Sequence, residues 1–300
     1  MQKKNWILIF IGIPVLFLLW YFAIKENDYS ISFETKALPG EVVYKIDNPI
    51  FDKMDVLETK IDSSFSKVKQ ETKLNGKLYR LTWAIHPKND TINQVKVGIN
   101  NKNESIKDRF LLLIGQNDFQ QEMKAELQYF QKALVTNLDL YSVKIEGETV
   151  SPENNCACIN IENKVDQKAF EMMKTIDILS NYILDHKLET EGRPRIIINS
   201  WDKTSKNINF DFCFPIVKME TYPEHLTIEI KDIPEAKSLK ANFYGNYMFS
   251  HNAWFHLMNY AEKNNLAVKT ENIMEIFKNN PQMGGDESQW EAEIYLPLAE

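Results

Sequence analysis

Glycine is scarce, with 10 in 300 residues, about half the usual ~7%. The few present never fall as G-x-G-x-x-G or as a loop ending in Gly-Lys-Ser/Thr. A chain without a phosphate-cradling loop offers no site for nucleotide-driven chemistry. Cysteine is scarcer still: Cys156, Cys158 and Cys213. Three cannot all pair, the first two share one face of any strand that holds them, and no zinc-ligand spacing occurs. The expectation is three buried small hydrophobes, with no disulfide framework, metal or cofactor. Positive charge is also in deficit, 35 Lys and Arg against 42 Asp and Glu, a net charge of -7. That balance repels nucleic-acid phosphates, and no Lys/Arg stripe offsets it, so neither DNA nor RNA is expected as a direct partner. Catalytic signatures are missing too: G-x-S-x-G and H-E-x-x-H do not occur. His251 and His256, five apart, spread round a helix and read as surface residues.

What is present is material for packed cores, 44% hydrophobic and 12% aromatic residues in a chain of two-domain length. Trp6 to Ile24 reads WILIFIGIPVLFLLWYFAI, nineteen residues without a charge, enough to cross the ~30 Å hydrocarbon layer as a helix. Trp6 at one end and Trp20 with Tyr21 at the other resemble an interfacial aromatic belt, and Lys3 and Lys4 precede the run. No small-residue cleavage pattern follows before Lys25-Glu26-Asn27-Asp28. Residues 1–27 are therefore expected to be an uncleaved, single-pass anchor in the cell membrane, with the rest of the chain extracytoplasmic.

Residues 28–145 form a first soluble region. Tyr29, Ile31 and Phe33 alternate with polar residues as a half-buried strand. Pro39-Gly40 opens a short helix that Asn48-Pro49 closes. Three strand-like runs follow: Leu81, Trp83 and Ile85 on one face; Val95, Val97 and Ile99; and the continuous apolar Phe110 to Ile114. Then Phe119, Met123, Leu127, Phe130, Leu134 and Leu138 make one helical stripe. Strand, helix, antiparallel strands and a long terminal helix is the layout of a helix-grip domain, and the region resembles a reduced member of the SRPBCC (START-like) superfamily.

Turn formers at Glu146 to Asn155 mark a boundary, and a second domain, 146–300, is expected there. Beyond it the chain repeats itself. CACINIEN, a helix with the stripe Ala169, Met172, Met173, Ile176, Leu179 and Ile183, then PRIIINSW and INFDFCFPI, are matched by SLKANFYG, a helix carrying Trp254, Leu257, Met258 and Ala261, then NIMEIF and WEAEIYLPL. The closing strands share a signature at an offset of 82 residues, Asp211 to Ile216 against Glu293 to Leu298. The expected class is α+β, with a duplicated strand-helix-strand-strand unit whose helices cover one face of an antiparallel sheet. The other face would stay open as a ligand furrow.

Phe243-Tyr244-Gly245-Asn246-Tyr247, Glu275-Ile276-Phe277-Lys278-Asn279-Asn280-Pro281 and Glu291 to Leu298, in this order inside a duplicated unit, resemble the GyrI-like domain, also called the AraC effector-binding or multidrug-regulator ligand-binding domain, over residues 150–300. The resemblance implies an organic, cationic or aromatic ligand held between the repeats, with a last-strand carboxylate, here Glu293, touching it. Alternation puts Trp290, Ala292, Ile294 and Leu296 under the helices and Glu293 with Tyr295 in the furrow. Met274 and Ile276 are read as helix-facing, so Glu275 and Phe277 would join the furrow. Glu293 beside Glu275 would then have a raised proton affinity. Trp201, Asn199 and Asp211 are the expected opposite wall. The regulators carry a helix-turn-helix that is not evident here. The leading expectation is a membrane-anchored small-molecule-binding protein; the alternatives are a hydrolase using the furrow glutamates and a scaffold of a membrane complex.

Overall fold

The computed structural model describes residue 13 and residues 15–48, 50–116, 118–279 and 284–299. Of the expected anchor, residues 1–12 and 14 lie outside this set, and residues 15–24 are helical, ending in a π-turn at Trp20–Ile24. Among the described residues no helix is long and apolar enough to cross a membrane. The chain divides into two compact units, Met1–Pro39 with Val43–Leu134, and Gly40–Val42 with Val135–Glu300.

The first unit runs β1 (Tyr29–Thr35), α1 (Pro39–Asp47), β2 (Met54–Ile61), β3 (Lys67–Leu74), β4 (Lys77–Pro87), β5 (Asn93–Asn101), α2 (Ser105–Leu113) and α3 (Asp118–Leu138). Its sheet is antiparallel in the order β1-β5-β4-β3-β2. Asn75 and Gly76, both at positive φ, make the two-residue turn between β3 and β4. Leu81, Trp83, Ile85, Val95, Val97 and Ile99 are all buried, as are Met123, Leu127, Phe130 and Leu134 of the α3 stripe. The Phe130 ring sits 5.1 Å from Trp83 and 6.4 Å from Phe33, centroid to centroid. One expectation fails: Phe110 to Ile114 is not a strand but the end of α2 and the turn after it. Five consecutive apolar residues carry no period, so they read equally well as strand or helix.

The second unit runs β6 (Tyr141–Val150), β7 (Asn154–Lys164), α4 (Lys168–Asp185), β8 (Arg195–Trp201), β9 (Asn207–Pro215), β10 (Glu229–Ile233), β11 (Lys237–Gly245), α5 (Asn252–Lys263), β12 (Ile273–Phe277) and β13 (Glu291–Pro297). The eight strands form one antiparallel sheet, β10-β7-β9-β8-β12-β13-β11-β6. The duplication is visible in that order: outward from the β8–β12 pair, β9 then β7 mirror β13 then β11, and β10 and β6 extend the two edges. Bridges Thr190–Ile216 and Val268–Leu298 repeat at matching places.

Two further expectations are corrected. Glu146 to Val150, read as part of a break, belong to strand β6: Gly147 to Val150 pair with β11, and Glu146 sits at the bulge beside them. Cys158 and Cys213, directly opposite on β7 and β9, form a disulfide, while Cys156 is free and buried. The sequence separation of 55 conceals the pair, because register between distant strands is a tertiary property. Burial pushes the Cys156 thiol up to about 11.

Candidate functional site

Glu275 identifies the helix-covered face of the second sheet. Its ladder neighbours are Ile196 and Ile294, and its carboxylate meets Lys168 of α4 at 3.4 Å and the Ser250 hydroxyl, which donates to Oε2 at 2.7 Å. Glu293 and Tyr295 point the other way, as expected, with the Tyr295 hydroxyl donating to Glu293 at 3.1 Å. Strand β12, however, has the phase opposite to the expected one. Met274 and Ile276 pack with Ile197 and Tyr295 on the helix-free face, and Glu275 and Phe277 lie under the helices. All five β12 residues are buried, so alternation carries no phase in a strand covered on both sides. Glu275 and Glu293 thus occupy opposite faces, and the two-carboxylate site does not form.

Nor is the helix-free face a vacant furrow. Ile197, Met274, Ile276 and Tyr295 fill it together with Ile233, which also packs on the three cysteines. Glu293 is held by Lys240 at 3.1 Å and Lys278 at 3.0 Å. Burial alone raises its pKa, but the hydrogen bonds from Lys278 and Lys240 and their charges outweigh burial and keep it below the ordinary value. The expected increase in proton affinity is reversed, and a carboxylate kept ionised by two lysines is poorly suited to donate a proton at neutral pH. Because the folded pKa is depressed, Glu293 contributes stability that is present above the ordinary carboxylate pKa and lost as pH falls through the folded value. Acid titrations of unfolding free energy should therefore be shallower in Glu293→Gln than in the parent below about pH 5; superimposable curves would remove the lysine pair from the account.

The remaining expected wall residues are divided. Asp211 shares the helix-free face, paired with Lys231 and with Asn160 at 2.9 and 2.8 Å. Asn199, at the bulge between Ile198 and Ser200, donates to Asn209 Oδ1 at 2.9 Å. Trp201 is on the helix side, its ring 5.0 Å from Trp254 and 5.9 Å from Phe255. It cannot stand across a cleft from Glu293.

The cavity lies where the sequence reading put solid core. A space of about 780 Å³ opens between α4, the ends of β9 and β12, and the segment after β11. Its walls carry six rings, Phe170, Phe212, Phe214, Tyr247, Phe277 and Trp290, together with Met172, Met173 and Ile176. Phe212 and Phe214 are alternate residues of β9 and meet edge to face at 5.6 Å. Tyr247 is fixed at both ends: its ring lies 4.7 Å from Phe277 and 5.4 Å from Trp290, and its hydroxyl donates to the Glu291 carbonyl at 2.8 Å. Burial raises the Tyr247 phenol to about 12, so it stays neutral. Polar residues are the minority of the lining, among them Asp166, Arg193, Lys278 and Asn279. Of the seven residues expected from sequence, Phe277 alone borders this cavity. No sequence signal marks it: Ala169, Met172 and Ile176 are apolar at helical spacing, as a packed stripe would be, and only in the fold are they seen to be half buried, because they face the cavity instead of a packed neighbour.

Behind the floor lies a closed polar cluster. Lys168 follows the cavity-lining Gln167, and its ammonium donates to Ser250 and to the Tyr247 carbonyl, the latter at 3.3 Å, beside Glu275. Burial pushes the Lys168 pKa down, opposed by Glu275. His251, expected on the surface, is buried here, and burial, then Lys168 and Lys206, hold it well below its ordinary pKa, hence neutral. Among the described residues no cluster of His, Cys, Asp and Glu has the geometry of a metal site.

A family model described as the GyrI-like small molecule binding domain matches residues 150–299. The crystal structure of the EcmrR C-terminal domain is similar at 17% identity and TM-score 0.45, covering 54% of this chain and 99% of that one. SAV2435 bound to tetraphenylphosphonium is similar at 9% identity and TM-score 0.33, covering 53% and 93%. A hydrolase from Listeria innocua is similar at 12% identity and TM-score 0.34, covering 52% and 92%. No curated protein matches the chain. With half its length matched by that family model over the duplicated unit, the chain belongs to the GyrI-like small molecule binding domain family.

Proposed function

We propose that this protein is a membrane-tethered receptor for a ring-bearing small organic molecule, held in the cavity between α4 and the sheet. The observation that carries the reading is the cavity itself: about 780 Å³, within the ~300–1,000 Å³ range of small-molecule sites, walled by six rings and flexible methionines, with polar residues the minority of its lining. Rings on several sides favour flat or globular aromatic guests through stacking and edge contacts. Thioethers adapt to guests of different outline. The face chosen differs from that expected from sequence; Glu293 is tied to two lysines on the filled face, and Phe277 passes from the expected set into the proposed one.

Two features support the tether and an extracytoplasmic position. The uncharged run Trp6–Ile24 has the length of a membrane span, and the Cys158–Cys213 disulfide is a bond that persists in oxidising compartments.

Binding tests the reading. Purified full-length protein in detergent should show saturable thermal shifts with at least one of three naphthyl probes, cationic, neutral and anionic. Met172→Trp, which fills the cavity with an indole, should weaken that binding by tenfold or more, a loss of about 1.4 kcal/mol, while Glu293→Gln leaves it unchanged. Absence of saturable binding with every probe, or equal affinity in Met172→Trp, would exclude the cavity as the site.

A further inference from the structure

Helix α2 is built inside out. Its buried residues are Asp108 and Arg109, 1% and 3% exposed, whereas Ile106, Phe110, Leu113 and the following Ile114 are between 50% and 68% exposed. These four fall at i, i+4, i+7 and i+8, one continuous stripe of a helix. A helix that buries its charges and presents its apolar stripe outward fits an environment other than water.

The arrangement is fixed, not loose. Arg109 donates from Nε to Asp28, from Nη1 to the Tyr21 carbonyl and from Nη2 to the Lys25 carbonyl, each at 2.6 Å. Asp28 also accepts the Asn101 amide at 2.7 Å, and Asn101 donates to Asp108 at 2.7 Å. This buried network locks α2 against residues 21–28, at the place where the uncharged run Trp6–Ile24 ends. Phe22 of that run lines one groove with Ile106 and Phe110, so the two apolar surfaces are continuous.

We propose that the α2 stripe lies in the interfacial layer of a lipid bilayer, beside the point where the N-terminal run enters it. The inference rests on the tether reading and specifies what the tether does: it seats the first unit on the membrane by a second contact. Lipid is favoured as the occupant by position. The stripe is fastened next to Trp20 and Tyr21, residue types that sit at headgroup level, and exposed Lys107 flanks it, as basic residues flank helices lying in an interface.

The test uses full-length protein in vesicles of phosphatidylcholine and phosphatidylglycerol, with Cys156→Ala and one spin label at Phe110→Cys, Leu113→Cys or, as a water-exposed reference on β3, Lys69→Cys. At positions 110 and 113 collisions with oxygen should exceed those with a water-soluble nickel complex several-fold, and at position 69 the order should reverse. If the chain floats with vesicles but both α2 labels behave like the β3 label, the stripe faces water and the inference falls while the tether stands. Labels reached by neither reagent would mean that protein covers the stripe, a second copy or the chain's own N-terminal residues, and this too overturns it. A chain that does not float with vesicles loses the tether and the inference together.

Discussion

Lys168→Met is expected to lower the stability of the second unit by about 3–5 kcal/mol, the cost of leaving one member of a buried ion pair without its partner. Methionine matches lysine in length and apolar volume, so packing changes little and the electrostatic loss stands alone. Lys168 is fully buried, and its ammonium is what Glu275 faces at 3.4 Å. Without it the carboxylate keeps only the Ser250 hydroxyl, while Oε1 already has no hydrogen-bond partner among the described residues. Urea unfolding monitored by tryptophan fluorescence measures the change. Lys168→Met combined with Glu275→Gln should regain most of the loss, since removing both charges removes the desolvation cost of each. A single variant as stable as the parent would mean that water or a neighbour already neutralises Glu275. The pair also borders the cavity floor through Gln167 and Phe277, so ligand affinity should fall in the single variant and return in the double one.

The disulfide carries the second large effect. Cys158 and Cys213 close a chain separation of 55 residues, for which loop entropy gives a stabilisation of about 4 kcal/mol. The effect acts on the unfolded chain. In the folded state β7 and β9 already hold the two residues opposite one another, so Cys158→Ala with Cys213→Ala should leave the fold and ligand affinity intact while moving the urea midpoint down. Equal midpoints for parent and double variant, or for oxidised and reduced parent, would show that the bridge contributes no net stabilisation.

Sequence periodicity places α1, α3, α4, α5 and most strands well, but not α2. The α3 stripe, the alternation of β1, β4, β5 and β13, and the strand-helix-strand-strand repeat are local patterns set by side-chain direction in helices and strands, and they appear in the fold at the expected residues. Faces were harder. In β13 one set of alternate positions is apolar and the other holds Glu291 and Glu293, so the phase is legible. In β12 the sequence Ile-Met-Glu-Ile-Phe offers apolar residues to both sides; alternation with Met274 and Ile276 under the helices sends Glu275 to the open side, whereas the fold buries that carboxylate, at a cost. The fold meets that cost with Lys168 and Ser250, one 107 residues away and one 25, a compensation that no local window contains.

Helix periodicity, strand alternation, the 82-residue duplication and the resemblance of its three motifs were decided by the chain alone, because each depends on residues that are neighbours along it. Tertiary structure decided which face of β12 meets the helices, which two cysteines join, that the α4 stripe lines a cavity instead of a packed core, and that α2 turns its apolar side outward. Each of these depends on what comes to lie across the sheet or against the helix. Apolar residues are selected alike for packing and for lining an empty space, so sequence pattern does not separate the two.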